Sequence, residues 1–247
     1  HDGSLIATGN YRGEFRLIEA ASGAVPCEVL HGGPVLAVSF NHDGSVVATG
    51  GGDNKLRLLP WCPWRFWRVE HGDGDASAVA FSHDGSLIVH GGRSGWSLRK
   101  TESGAIVWQV EAVPLAVAFN HDGSLIATGN YRGEFRLIEA ASGAVPCEVL
   151  HGGPVLAVSF NHDGSVVATG GGDNKLRLLP WCPWRFWRVE HGDGDASAVA
   201  FSHDGSLIVH GGRSGWSLRK TESGAIVWQV EAVPLAVAFN HDGSLIA

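Results

Sequence analysis

In Val35-Leu36-Ala37-Val38-Ser39-Phe40 the large side chains Leu36, Val38 and Phe40 share one parity and the small residues Ala37 and Ser39 the other. That period of two predicts a β-strand, and Ala78-Val79-Ala80-Phe81 and Ala116-Val117-Ala118-Phe119 repeat it. Asn41-His42-Asp43-Gly44 follows the first; its Asp-Gly is expected to take the positive φ angles of a tight hairpin turn, returning the chain as a second strand, Val46-Val47-Ala48. A Gly-rich turn, Gly50-Gly51-Gly52-Asp53-Asn54, leads to a third strand, Leu56-Arg57-Leu58, and a Pro/Trp segment to a fourth, Phe66-Trp67-Arg68-Val69. Third strands are expected likewise at Phe15-Arg16-Leu17 and Trp96-Ser97-Leu98, and fourth strands at Cys27-Glu28-Val29 and Trp108-Gln109-Val110. No segment of helical period interrupts them.

These strands recur in register with a longer repeat. Residues 1–120 and 121–240 are identical, and 241–247 (HDGSLIA) begin the same text again. Within each copy His-Asp-Gly-Ser returns at His1, His42 and His83, then at His121, His162, His203 and His241, a period of about forty. A lone four-stranded meander leaves two apolar faces wet, so copies must stack face to face, and radial stacking lets every copy bury both. The expected fold is all-β: a six-bladed β-propeller of four-stranded antiparallel blades, a single domain over 1–247. Counted from the first residue, the chain starts at the second strand of a blade and ends with a first strand, Leu235-Ala236-Val237-Ala238-Phe239. Pairing of that strand with residues 4–30 closes the ring and removes open edges. Ser244-Leu245-Ile246-Ala247 then duplicates Ser4-Leu5-Ile6-Ala7, so two segments compete for one slot, and one is expected to be displaced or to pair with a neighbouring molecule. A ring shared between chains, or another blade count, is the alternative.

Phe40-Asn41-His42-Asp43-Gly44-Ser45, Ala48-Thr49-Gly50 and Asp53-Asn54-Lys55-Leu56-Arg57-Leu58 resemble the core of a WD40 repeat. The resemblance implies a propeller and no particular function. His31-Gly32 and His71-Gly72 are similar to the family's Gly-His region, and Asp53 and Asp173 match its buried Asp. Where the family shows Trp-Asp, this chain has Ile18-Glu19, Leu59-Pro60 and Arg99-Lys100, so the family's buried His/Asp/Ser-Thr/Trp network is expected to be incomplete.

Eighteen Lys and Arg against 25 Asp and Glu give a net charge of −7, which argues against nucleic acid as a partner. No apolar run approaches the roughly 20 residues that span a bilayer, so a soluble protein without a membrane partner is expected, cytoplasmic if made without a leader. Cys27, Cys62, Cys147 and Cys182 form no Cys-x-x-Cys pair and are expected to be free, mostly buried thiols.

The run Trp61-Cys62-Pro63-Trp64-Arg65-Phe66-Trp67-Arg68, repeated at 181–188, is the candidate partner contact, through Trp61, Trp64, Arg65, Trp67, Arg68, Trp181, Trp184, Arg185, Trp187 and Arg188. The alternative is that it covers the outer strand, with Arg stems lying over the rings. The His-Asp pairs of the hairpins are expected to be turn chemistry, with solvated imidazoles. Turns on separate blades are placed more than ~10 Å apart, whereas zinc ligands lie within about 2.0–2.3 Å of one ion, so no metal ligand set is expected. Asp73-Gly74-Asp75 lacks the further oxygens of a calcium loop. Gly50-Gly51-Gly52 opens no helix and so lacks the phosphate-cradling geometry. Tyr11-Arg12, Asn54-Lys55 and Arg93-Ser94 are read as a solvated rim.

No nucleophile motif, P-loop or His-Glu-x-x-His occurs, so no catalytic or cofactor-binding residues are expected. Drift normally separates duplicated copies, so complete identity points to deliberate construction or very recent duplication. The expected function is a non-enzymatic, symmetric, designed or reconstructed WD40-like scaffold. A natural protein–protein interaction scaffold is the rival reading, and a glycan-binding or hydrolytic propeller the third.

Overall fold

A computed structural model describes residues 4–60, 68–71, 76–180, 188–191, 196–212 and 215–231, together with 237 and 239. The chain divides into two compact units, His1–Pro114 and Leu115–Ala247. In the first, β1 (Leu5–Gly9), β2 (Glu14–Glu19) and β3 (Cys27–Leu30) form a three-stranded sheet; β4 (Val35–Phe40), β5 (Val46–Gly51), β6 (Lys55–Pro60) and β7 (Arg68–His71) form a second; β8 (Ala78–Phe81), β9 (Leu87–Gly92), β10 (Gly95–Lys100) and β11 (Ile106–Val110) form a third. In the second unit the sheets are β12 (Pro114–Phe119), β13 (Leu125–Asn130), β14 (Glu134–Glu139) and β15 (Cys147–Leu150); β16 (Val155–Phe160), β17 (Val166–Gly171), β18 (Lys175–Pro180) and β19 (Arg188–His191); and β20 (Ala198–Phe201), β21 (Leu207–Gly212), β22 (Gly215–Lys220) and β23 (Ile226–Val230). Among the described residues these six antiparallel sheets are consistent with a β-propeller. Of the expected closing strand only Val237 and Phe239 are described.

The parity of the strands decides the packing. Val46 and Ala48 of β5, with Leu56 and Leu58 of β6, lie against Val79, Phe81 and Ile88 of the third sheet. Val47 of β5 and Leu59 of β6 face the opposite way, onto Phe15 and Leu17 of the first. The middle sheet therefore buries both faces, as a strand pattern with apolar residues at both parities requires. In the second unit Phe135 and Leu137 pack on Val167 and Leu179, and Leu176 and Leu178 on Val199 and Ile208. First strands lie side by side, β4 against β8 and β16 against β20.

Two local expectations are corrected. Gly50 and Gly51 belong to β5, paired with Ala37 and Val35, so the Gly-rich turn narrows to Gly52-Asp53-Asn54, with Asn54 at φ 62°. In the Asn41–Ser45 hairpin only Gly44 has positive φ, 70°. Asp43 acts through its side chain instead, its carboxylate accepting the Ser45 N–H at 2.8 Å. The loop is longer than a two-residue turn, because Asn41 N–H donates to Val46 O while Gly44 N–H closes back on Asn41 O. A single left-handed glycine after a right-handed turn is the geometry of such longer hairpins.

Candidate functional site

Among the described residues a buried polar group joins residues from four places in the first unit: His31 after β3, Thr49 in β5, Asp53 in the following turn and Arg57 in β6. Thr49 and Arg57 face each other across the β5–β6 ladder, which puts hydroxyl and guanidinium on one side. His31 Nε2 lies 3.1 Å from Thr49 Oγ1, and Arg57 Nη1 lies 2.8 Å from His31 Nδ1. Arg57 also donates to both carboxylate oxygens of Asp53, and Asp53 Oδ2 accepts the Gly32 N–H at 3.1 Å. Space for this comes from Gly51, where a Cβ would stand 2.6 Å from Asp53 Oδ1 and 2.7 Å from His31 Nδ1. The second unit repeats the arrangement with His151, Thr169, Asp173 and Arg177.

The electrostatics follow from burial and from the guanidinium. Burial, then the Arg57 charge, lowers the His31 pKa against the opposing pull of Asp53; in the copy the same causes bring His151 to about 4. Burial works against the Asp53 carboxylate, yet hydrogen bonds from Arg57 and the Gly32 amide hold it at about 2. The result is a neutral imidazole, an ionised carboxylate and a guanidinium, all mutually satisfied. Such a group ties the end of one sheet to the next and leaves no base or nucleophile for chemistry.

The third sheet carries a shorter version. His90 Nε2 lies 3.2 Å from Ser97 Oγ, and Arg99 donates to Ser97 Oγ and to the Gly104 carbonyl. Burial, then Arg99, lowers His90 to about 4. His90, Ser97 and Arg99 border a cavity of about 100 Å³ with Trp96, Gln109 and Glu111. That volume is well below the roughly 300 Å³ at which small-molecule sites begin.

The His-Asp-Gly-Ser turns differ most from expectation. Successive imidazoles stand close together rather than more than 10 Å apart: the centroids of His42 and His83 are 3.5 Å apart, those of His121 and His162 4.4 Å, and those of His162 and His203 4.2 Å. Beneath the His42–His83 and His162–His203 pairs the first strands that end at these turns lie side by side, β4 against β8 and β16 against β20. Asn41 approaches Gly85 of the next turn, and Asn120 and Asn161 approach Gly164 and Gly205.

Other expected site residues are placed as follows. Trp61, Trp64, Arg65, Trp67, Trp181, Trp184, Arg185 and Trp187 lie outside the described residues, as do Asp73-Gly74-Asp75, Cys62 and Cys182. Arg68 and Arg188 open β7 and β19. Cys27 and Cys147 are free but half-buried rather than buried, because they sit on outer strands. Tyr11 is 85% exposed and Arg12 is exposed, as a solvated rim requires.

The buried set lacks the family's Trp, as expected, and Arg57 and Arg177 take part in it instead, bonding both histidine and aspartate. The sequence signal was a strand-interior Arg four residues after Asp53. Its link to His31 spans 26 positions and becomes visible only once two sheets pack.

The family model described as WD domain, G-beta repeat matches residues 26–58 and 146–178, the segments that carry these two networks. The two matches support a WD40 family. No curated protein matches the chain. WD40 domains commonly mediate protein–protein interaction and are usually non-enzymatic scaffolds. Among the described residues no helix is long and apolar enough to cross a membrane.

Proposed function

We propose that the chain is a non-enzymatic, symmetric WD40-like scaffold, a single six-bladed propeller domain of designed or reconstructed origin with a structural role. The observation that carries this reading is the repetition of one hydrogen-bonded network at His31 and His151 within two identical 120-residue texts. A construction that doubles its internal joints doubles any site drawn from one half, which suits a repeated surface better than one asymmetric active centre.

In this reading the ring closes on β1. Its text, LIATG, recurs in β13, where Ile126 is fully buried beside β12, whereas Ile6 is 49% exposed and β1 has β2 as its described partner. Residues 235–239 repeat the β12 text and supply the strand that covers β1. Residues 244–247 are then the surplus copy of 4–7, available for self-association, and the Trp61–Arg68 and Trp181–Arg188 runs are the surfaces offered to a protein partner. Native mass measurement tests the closed ring: a species of about one chain mass supports it, and an obligate multimer overturns it. Loss of a bound protein on Trp64→Ala with Trp184→Ala locates the contact; unchanged binding places it elsewhere.

A further inference from the structure

The paired imidazoles of the hairpin turns have no part in the scaffold reading. In the first of these turns Asn41 donates to Ser45 Oγ and accepts from Val46 N–H, and Asp43 accepts from Ser45 N–H. Asp84 and Asp204 are saturated by Ser82 and Ser86, and by Ser202 and Ser206. The carboxylates are thus committed to the serines of their own turns, while the rings beside them are brought together by sheet packing.

We propose that adjacent turn histidines, His42 with His83 and His162 with His121 or His203, form two-imidazole sites for a borderline divalent transition-metal ion such as Zn²⁺, Ni²⁺ or Cu²⁺. With Zn–N of about 2.0–2.1 Å, two imidazoles on one ion have centroids roughly 5 Å apart. The observed separations of 3.5 to 4.4 Å lie within about 1.5 Å of that spacing. Imidazole selects these metals over Mg²⁺ and Ca²⁺, which prefer oxygen donors. Among the described residues no group of three or more metal-ligating side chains converges, so water completes the coordination. The row in the second unit offers His162 to either neighbour, and this choice of partners raises the statistical weight of the bound state.

The test is a titration of the whole chain with Zn²⁺ in non-chelating buffer at neutral pH, followed by calorimetry, with Co²⁺ absorption as the spectroscopic signature. His42→Asn with His162→Asn removes one ring from each row and leaves the turn bonds in place. A ligand matters at least as much as its outer-sphere partner, so affinity is expected to fall roughly tenfold or more. The Co²⁺ imidazole band is expected to weaken with it, while circular dichroism is unchanged. His71→Asn with His191→Asn, outside the turns, is expected to leave binding intact. Absence of Zn²⁺ binding by the parent chain, or equal binding by the turn variant, would overturn the proposal.

Discussion

Arg57 Nη1 donates to His31 Nδ1 across 2.8 Å, and that one bond fixes the protonation of a buried ring. A guanidinium has no acceptor, so Nδ1 must be the lone-pair nitrogen and Nε2 must carry the hydrogen given to Thr49. The imidazole is neutral by construction, and burial first and the Arg57 charge second lower its pKa.

Stability should therefore depend on pH in a defined window. His90, His151 and His210 have folded pKa values of about 4, through burial first and the neighbouring Arg second, and His31 is lowered likewise. Unfolded histidine titrates near about 6.5, so below that pH the unfolded chain takes up protons that the folded chain refuses. The stabilisation is complete above about pH 6.5 and is lost as pH falls toward 4, at up to roughly 1.4 kcal/mol per pH unit for each ring. Urea midpoints measured between pH 7.5 and 4.5 check this; a flat profile contradicts it.

Arg57→Ala removes the partner of both a buried carboxylate and a buried imidazole. The expected loss is about 3 kcal/mol, the usual scale for leaving a buried charge uncompensated. The Asp53 carboxyl is expected to rise from about 2, which a carboxyl NMR titration would read. Arg177→Ala, in the same network, should cost the same to within about 0.5 kcal/mol.

Gly50→Ala places a methyl group 2.3 Å from the Ala76 carbonyl oxygen, a backbone atom that cannot swing aside. Overpacking of this kind is expected to cost about 1–3 kcal/mol, and Gly170→Ala should reproduce it against Ala196. Thermal melts of the two single variants check the magnitude and the equivalence.

Ile6 and Ile126 occupy identical sequence contexts with unlike burial. Ile126→Ala should cost about 2–4 kcal/mol as a core truncation. If residues 235–239 cover β1 as proposed, Ile6→Ala should cost nearly as much. A cost under about 1 kcal/mol would show that β1 remains an open edge.

Much of the architecture was legible locally. The alternation in Val35–Phe40 and Ala78–Phe81 gave β4 and β8 with their observed bounds, because side-chain parity in a strand is a property of neighbouring residues. The Asn41–Ser45 hairpin was legible as a turn, though which residue took the positive φ was not, since Asp and Gly both tolerate it. The network around His31 stayed hidden because its members come from a loop, two strands and a turn, and no local window contains them.

What the sequence determined alone is the period, the strands and the fact that the text of residues 1–120 occurs twice. What only the tertiary structure decided is who stands next to whom. The turn histidines lie within 3.5 to 4.4 Å because neighbouring sheets bring their turns together, and the same five residues, LIATG, are buried in β13 and half-bare in β1. Identical text cannot encode that difference; burial belongs to the neighbours a strand finds, and those are set by packing.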